Sequence, residues 1–395
     1  MTERAFETGS RDGKLGRVVG SDCMPDYKNS LRRTKNEGVT PPSIATETTS
    51  PAPLAFVAAL TDARLKAFLT SEQRRWEAFD ADLGPALGEL DRFCGEGGKR
   101  VRPAFAYWTF LGAGGDPDNP WIIDLCAGLE LLHAFALLHD DVMDGSEMRR
   151  HHQTVHIGAA EQHRNSHWRG EARRFGEGVA ILLGDLALTY ADQLMSPLDF
   201  DTRTIYSELK TELMVGQYLD LVSAARGDTD AERGRRIVLY KSAKYTVERP
   251  MHMGAALAGR ADQMTEPLSR VGLPLGEAFQ LRDDLLGVFG SELTVGKPVG
   301  DDLREGKATL LLTLATELAN PAQQAELAKV GSQLSPESVD RLCEIITETG
   351  ARSQVEQRIE NLTTEALAAL DAMQLTETAR AALIELAAYV GMRDV

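Results

Sequence analysis

The sequence is poor in cysteine, poor in aromatic residues and short of positive charge. Its four cysteines, Cys23, Cys94, Cys126 and Cys343, lie far apart and form no CxxC pair. That spacing argues against a disulfide framework and fits a reducing cytoplasm. Phe, Trp and Tyr make up only 6% of the chain, and much of its 43% apolar content is Ala, Leu and Val, a mix suited to packed helices rather than a sandwich of strands. Acidic residues outnumber Lys and Arg by 59 to 43, for a formal net charge of −16. Such a surface disfavours nucleic-acid binding, although basic clusters and metals can still reverse the field inside one cleft. No unbroken apolar run reaches transmembrane length, and the opening residues MTERAFETGSRDGKLGR lack the apolar stretch of a secretory signal. These features predict a soluble cytoplasmic protein with no stable membrane insertion.

What is present is mostly helical patterning. Residues 1–53 are the exception. They are polar, end in GVTPPSIATETTSPAP, and bury too little apolar surface to offset their ordering entropy, so they read as a disordered extension. From Leu54 to the C-terminus apolar residues recur at three- and four-residue spacing, which predicts one large all-α domain over 54–395, a helical bundle around a central cavity. HQTVHIGAAEQHRNSHWRGEARRFGEG reads as a polar connection, and GSELTVGKPVGDDLREGK as a mobile Gly-rich loop.

Three motifs carry chemistry. In His139-Asp140-Asp141-Val142-Met143-Asp144 the carboxylates of Asp140 and Asp144 stand one helical turn apart and repel. They close an apolar helix, where acid opposes the macrodipole, and a hard divalent cation would relieve both problems. Gln280-Leu281-Arg282-Asp283-Asp284 repeats the pattern at the end of a second apolar helix. The third motif is basic. Lys99 and Arg102 share a face of GKRVRP, Arg149 and Arg150 follow the first acidic motif, and Lys241, Lys297 and Lys307 sit near helix ends or in the Gly-rich loop. Arg grips phosphate with two donors and Lys as a point charge, so acids interleaved with cations suggest two phosphate sites, one held through metal and one directly.

HDDVMD followed by MRR, with GGKRVRP upstream and FQLRDDLLGVFG then GKPVGDDLREGK downstream, resembles the trans-isoprenyl diphosphate synthases, closest to the bacterial short-chain enzymes making geranylgeranyl or farnesyl diphosphate. The resemblance implies a magnesium-dependent prenyltransferase with three Mg2+ per active site. Asp140 and Asp144 would hold two ions and Asp283 the third, with Asp141, Asp284 and Asp302 in support. Arg149, Lys241 and Lys297 would clamp the allylic diphosphate. Lys99, Arg102, His133 and Arg150 would hold isopentenyl diphosphate, Gln217, Asp220 and Gln280 would complete the inner wall, and Lys307 is a further basic candidate. The resemblance also implies a homodimer.

The sequence departs from the family pattern in two places. Gly287 stands where many relatives carry a third aspartate, and His151-His152-Gln153 replaces the more usual Gly-Arg-Pro. Phe135 precedes Asp140 by more than one turn, roughly 7 Å deeper by the helical rise. It could cap a product tunnel in which the small Ala136 leaves room for a geranylgeranyl chain, or it could be ordinary core. Farnesyl or longer products are the alternatives. A terpene cyclase would not need the basic GKRVRP segment or the second acidic motif. A non-catalytic partner subunit would be expected to lose the aspartates. A di-iron bundle would need a second partner for the ExxH spacing of Glu130 and His133.

Overall fold

The computed structural model describes residues 50–96, 98–226, 231–290, 300–307 and 309–392. The N-terminal extension, Lys297 and Arg393 (a residue near the C-terminus that could help close the site) lie outside them. Residues 49–395 form one compact unit. Its first helix, α1 (Ala52–Glu77), buries Leu54 and Val57 from its outset. Then come α2 (Leu83–Gly95), α3 (Val101–Gly112) and α4 (Trp121–Asp144). A two-residue hairpin pairs β1 (Met148–Arg149) with β2 (His152–Gln153), its turn made by Arg150 and His151 at positive φ. The chain continues through α5 (Val155–Asn165), α6 (Ala172–Met195), α7 (Phe200–Arg226) and α8 (Ala231–Ile237). A π-helix (Val238–Glu248) runs straight on into α9 (Arg249–Leu257), followed by α10 (Ala261–Phe289). The remainder is α11 (Asp301–Glu305), α12 (Leu310–Leu318), α13 (Pro321–Leu327), α14 (Pro336–Glu348), α15 (Ala351–Asp371) and α16 (Glu377–Met392).

The all-α expectation is met, and the hairpin is the only sheet among the described residues. Helix α4 is the axis of the bundle. Leu125, Leu129, Leu131 and Leu132 are fully buried on it, which leaves little of its circumference facing water. It lies along α6, while α10 packs against both the π-helix and α15.

Three readings of the sequence need correction. The stretch taken for a polar connection contains α5, which buries Val155, His156, Ala160 and His163. The Gly-rich loop is partly helical, with α11 inside it. Two helices are long and apolar enough to cross a membrane by length and composition, contrary to the reading that no segment is. They are α4, with mean hydropathy 1.7 and 72% of that stretch buried, and α6, with mean hydropathy 1.2 and 44% buried. Isolated polar residues such as Glu130 and His133 interrupt any unbroken run in α4 without making the helix polar on average. Its burial shows where the apolar surface goes.

Candidate active site

Helix α4 ends in the first acidic motif and is closed by Gly145 at φ 66. Asp140 is met from three directions. Gln217 on α7 donates to its Oδ1 at 2.9 Å, Lys241 on the π-helix approaches the same oxygen at 3.2 Å, and Arg149 from β1 stands 3.8 Å from Oδ2. Lys241 also donates to Asp220 at 2.6 Å. Burial opposes ionisation of Asp140, but Lys241 and Arg149 outweigh it and hold this carboxyl below the usual range. Asp144, at the rim, is pushed up to about 6 by loss of hydration and then by the charge of Asp140. Asp141 turns inward, 1% exposed, and takes the Arg149 guanidinium at 2.7 Å.

Close approach of backbones makes this geometry possible. A Cβ at Gly216 would lie 2.5 Å from the Lys241 amide nitrogen, and one at Gly276 would lie 2.5 Å from Ala243. The π-helix is therefore seated between α7 and α10 at two positions where only glycine fits.

The second acidic motif lies near the end of α10. Gln280 donates to Asp284 at 2.8 Å, and burial, with the charges of Asp302 and Asp283 adding, pushes Asp284 up to about 7 despite that bond. Asp302 lies directly over Gly287, where a Cβ would fall 1.9 Å from its Oδ2. The space of the missing third aspartate thus goes to a carboxylate from α11. Lys307 lies 3.4 Å from Asp302 and 2.6 Å from Glu305. Burial works against the charge of Lys307, but Asp302, Glu305 and then Asp144 more than restore it, so one ammonium senses both acidic motifs. Arg282 donates to the backbone oxygen of Gly391 at 2.7 Å, which ties the last helix to this motif.

Two turns before Asp140, on the same face of α4, His133 Nδ1 lies 3.0 Å from the Tyr245 hydroxyl. The Arg102 guanidinium stacks 4.2 Å from the centre of the Tyr245 ring and donates to Thr246 at 3.2 Å. The buried Nε of Arg102 has no acceptor among the described residues. Burial, then Arg102 and Arg150, push the His133 imidazole well below its ordinary value, so it is neutral near pH 7. Arg150 donates to the carbonyls of Phe93 and Glu96. Glu130 pairs with Arg100 at 2.6 Å in the core. With His133 on Tyr245, the ExxH spacing is spoken for by other partners, which removes the di-iron reading.

Two acidic motifs at the ends of α4 and α10, each laced with cations, and Arg102 of α3 beside His133 of α4 form an arrangement found in known enzymes. The polyprenyl synthetase profile matches residues 88–349. This chain belongs to the polyprenyl synthetase family. It is 31% identical over 275 residues to geranylfarnesyl diphosphate synthase of Aeropyrum pernix, covering 66% of this chain and 79% of that one. It is 31% identical over 301 residues to octaprenyl diphosphate synthase of Escherichia coli, covering 75% and 87%. Among solved structures it matches a geranylgeranyl pyrophosphate synthase from Corynebacterium glutamicum, complexed with isoprenyl diphosphate and magnesium, with TM-score 0.83 and 37% identity over 86% of this chain and 99% of that one. The chain is a trans-isoprenyl diphosphate synthase, and its family uses a divalent metal, isopentenyl diphosphate and an allylic diphosphate.

The residues present fit such a metal. Among the described residues no group of three His, Cys, Asp or Glu side chains could hold an ion alone. Magnesium is ordinarily bound by one or two carboxylates together with substrate phosphate oxygens, so a synthase site need not form a closed protein cage. The acids pushed up to about 6 and about 7 are groups whose charge a hard cation would restore. Sequence reasoning missed Tyr245 and Thr246. Tyr245, four positions after Lys241, carried an available signal, since that spacing shares a helical face; Thr246, five positions on, did not, because its direction depends on a helix type that the sequence does not announce.

Proposed function

We propose that this synthase condenses isopentenyl diphosphate with dimethylallyl, geranyl and farnesyl diphosphates by ionisation, condensation and elimination, giving geranylgeranyl diphosphate. The observation that carries the reading is the division of one central helix into two anion-handling stations, Asp140 with Lys241 and Arg149 at its end and His133 with Arg102 two turns earlier. Two diphosphates held that way present their prenyl groups to one another. The second acidic motif and the basic cluster favour this over a terpene cyclase, and keeping all five aspartates favours it over a non-catalytic subunit.

In this reading Asp140, Asp144 and Asp283 would hold three magnesium ions, which when bound would supply positive charge to the leaving diphosphate. Arg149, Lys241 and Lys297 hold the departing diphosphate, with Lys307 beside it. Lys99, Arg102 and His133 orient isopentenyl diphosphate so that its alkene meets the allylic cation. The departed diphosphate takes the proton lost from the adduct. Gln217, Asp220, Gln280 and Asp302 orient the cations and acids, and the apolar wall of α4 excludes water. Arg150 joins Lys99, Arg102 and His133, one of its terminal nitrogens anchored on the Phe93 and Glu96 carbonyls and its charge acting on His133.

The product length rests on small Ala136 and on likeness to the Corynebacterium glutamicum enzyme. Phe135, 8% exposed and edge-on to His139 at 4.7 Å, is the floor. The catalytic domain is 54–395. A homodimer accounts for the exposed apolar residues of α6 and α7, among them Leu182 at 69% and Tyr218 at 67%. Among the described residues Cys94, Cys126 and Cys343 are free, which accords with the cytoplasm. The test is labelled isopentenyl diphosphate supplied with each primer and magnesium. Geranylgeranyl diphosphate as the main product supports the reading, and failure to incorporate label with any primer refutes it.

A further inference from the structure

The π-helix changes which of its residues can face the site. In an α-helix of 3.6 residues per turn, the residue five positions on stands about 140° round the axis, whereas the i→i+5 bond of a π-helix brings it back close to the same face. Tyr245, four positions after Lys241, shares its face in an α-helix as well, and the π-helix brings Thr246, five positions on, round to join them. Lys241 reaches Asp140 and Asp220. Tyr245 reaches His133, and Thr246 reaches Arg102. One short segment touches both stations of the central helix.

We propose that Tyr245 and Thr246 are positioning residues for isopentenyl diphosphate, Tyr245 fixing His133 as the tautomer with its proton on Nε2 and Thr246 holding the Arg102 guanidinium beside it. The inference rests on the reading that Arg102 and His133 face that substrate's diphosphate. A neutral imidazole has one donor nitrogen and one acceptor nitrogen. If Nδ1 carried the proton, Nε2 would turn a lone pair toward an anion. Tyr245 prevents this by donating its O–H to Nδ1, which leaves the proton on Nε2. The Arg102 cation over the ring draws electron density from the phenol and makes it a better donor. Tyr245 is 4% exposed and Thr246 1%, so neither hydroxyl is diverted by bulk water. Thr246 accepts from one Arg102 Nη, and the remaining guanidinium donors are left for the substrate.

The experiment uses the full chain with magnesium. Tyr245→Phe keeps the ring and its stacking and removes only the hydroxyl. Its KM for isopentenyl diphosphate should rise roughly five- to tenfold, the loss of about one hydrogen bond, while the KM for the allylic substrate stays within about twofold. Thr246→Val should act in the same direction and Thr246→Ser should restore the wild-type value. Nitrogen-15 spectra of the histidines, with the His133 signals assigned through His133→Gln, read the tautomer directly. Wild type bound to inorganic pyrophosphate should show a protonated Nε2, and Tyr245→Phe a mixture. A proton on Nδ1 in the wild type, equal rises in both KM values, or unchanged kinetics in Tyr245→Phe would each overturn the proposal. If the wild type transfers no prenyl group at all, the enzymatic reading fails, and the spectra still decide the tautomer.

Discussion

Asp284 is 6% exposed, has acidic neighbours in Asp283 and Asp302, and receives one neutral donor, Gln280. Its folded-state value of about 7 lies above the 3.8 of an ordinary Asp. The protonated form therefore favours folding, and its stabilising contribution is complete below the unfolded value and lost as pH rises through about 7. Asp284→Asn should raise the melting temperature of the metal-free enzyme near pH 8 and change it little near pH 5, which calorimetry at the two values can check. Asp140 behaves in the opposite way, because Lys241 and Arg149 keep it charged. Asp140→Ala should cut turnover by about a hundredfold or more with little loss of fold, measured as product formed at saturating magnesium. At Gly287 even one added methyl meets Asp302, so Gly287→Ala should raise the magnesium concentration giving half-maximal rate. A metal titration unchanged from wild type would rule out any role for that close approach.

The π-helix shows which features could be read from sequence and which could not. The acids at 140, 144, 283 and 284 stood out in the sequence because charge at the end of an apolar helix violates the local expectation. The all-α class was legible from three-and-four spacing over most of the chain. Thr246 was not, because reading a face from sequence assumes 3.6 residues per turn and this segment departs from it; Tyr245, four positions after Lys241, shared its face on either count and was overlooked. The anchoring of Arg150 was not legible either. Positive φ at Arg150 and His151 turns the hairpin so that one guanidinium nitrogen of Arg150 meets the Phe93 and Glu96 carbonyls while its charge still acts on His133. The seat of the π-helix gives a prediction at this scale. Gly276→Ala puts a methyl 2.5 Å from the Ala243 backbone. It should lower stability and displace Lys241, so that turnover falls about tenfold or more even where circular dichroism shows the helices intact.

At the level of the whole molecule, the apolar residues on α6 and α7 face outward in a chain otherwise acidic on its surface. Leu182→Glu combined with Tyr218→Glu should convert a dimer to a monomer in sedimentation velocity, since paired charges cannot be buried across a two-fold interface without partners. A wild type that sediments as a monomer would remove the homodimer from the functional reading. The compact unit begins at residue 49, so a chain lacking residues 1–48 should retain its rate and its melting temperature.

The bond from Arg282 to the Gly391 carbonyl has a practical side. Anything fused behind Val395 pulls on a strand of chain anchored one residue from the second acidic pair. An affinity handle at that end is thus expected to alter metal response, while the same handle at the front of the chain leaves it as it was. Comparing the two fusions is a simple way to learn how far the tail communicates with the chemistry.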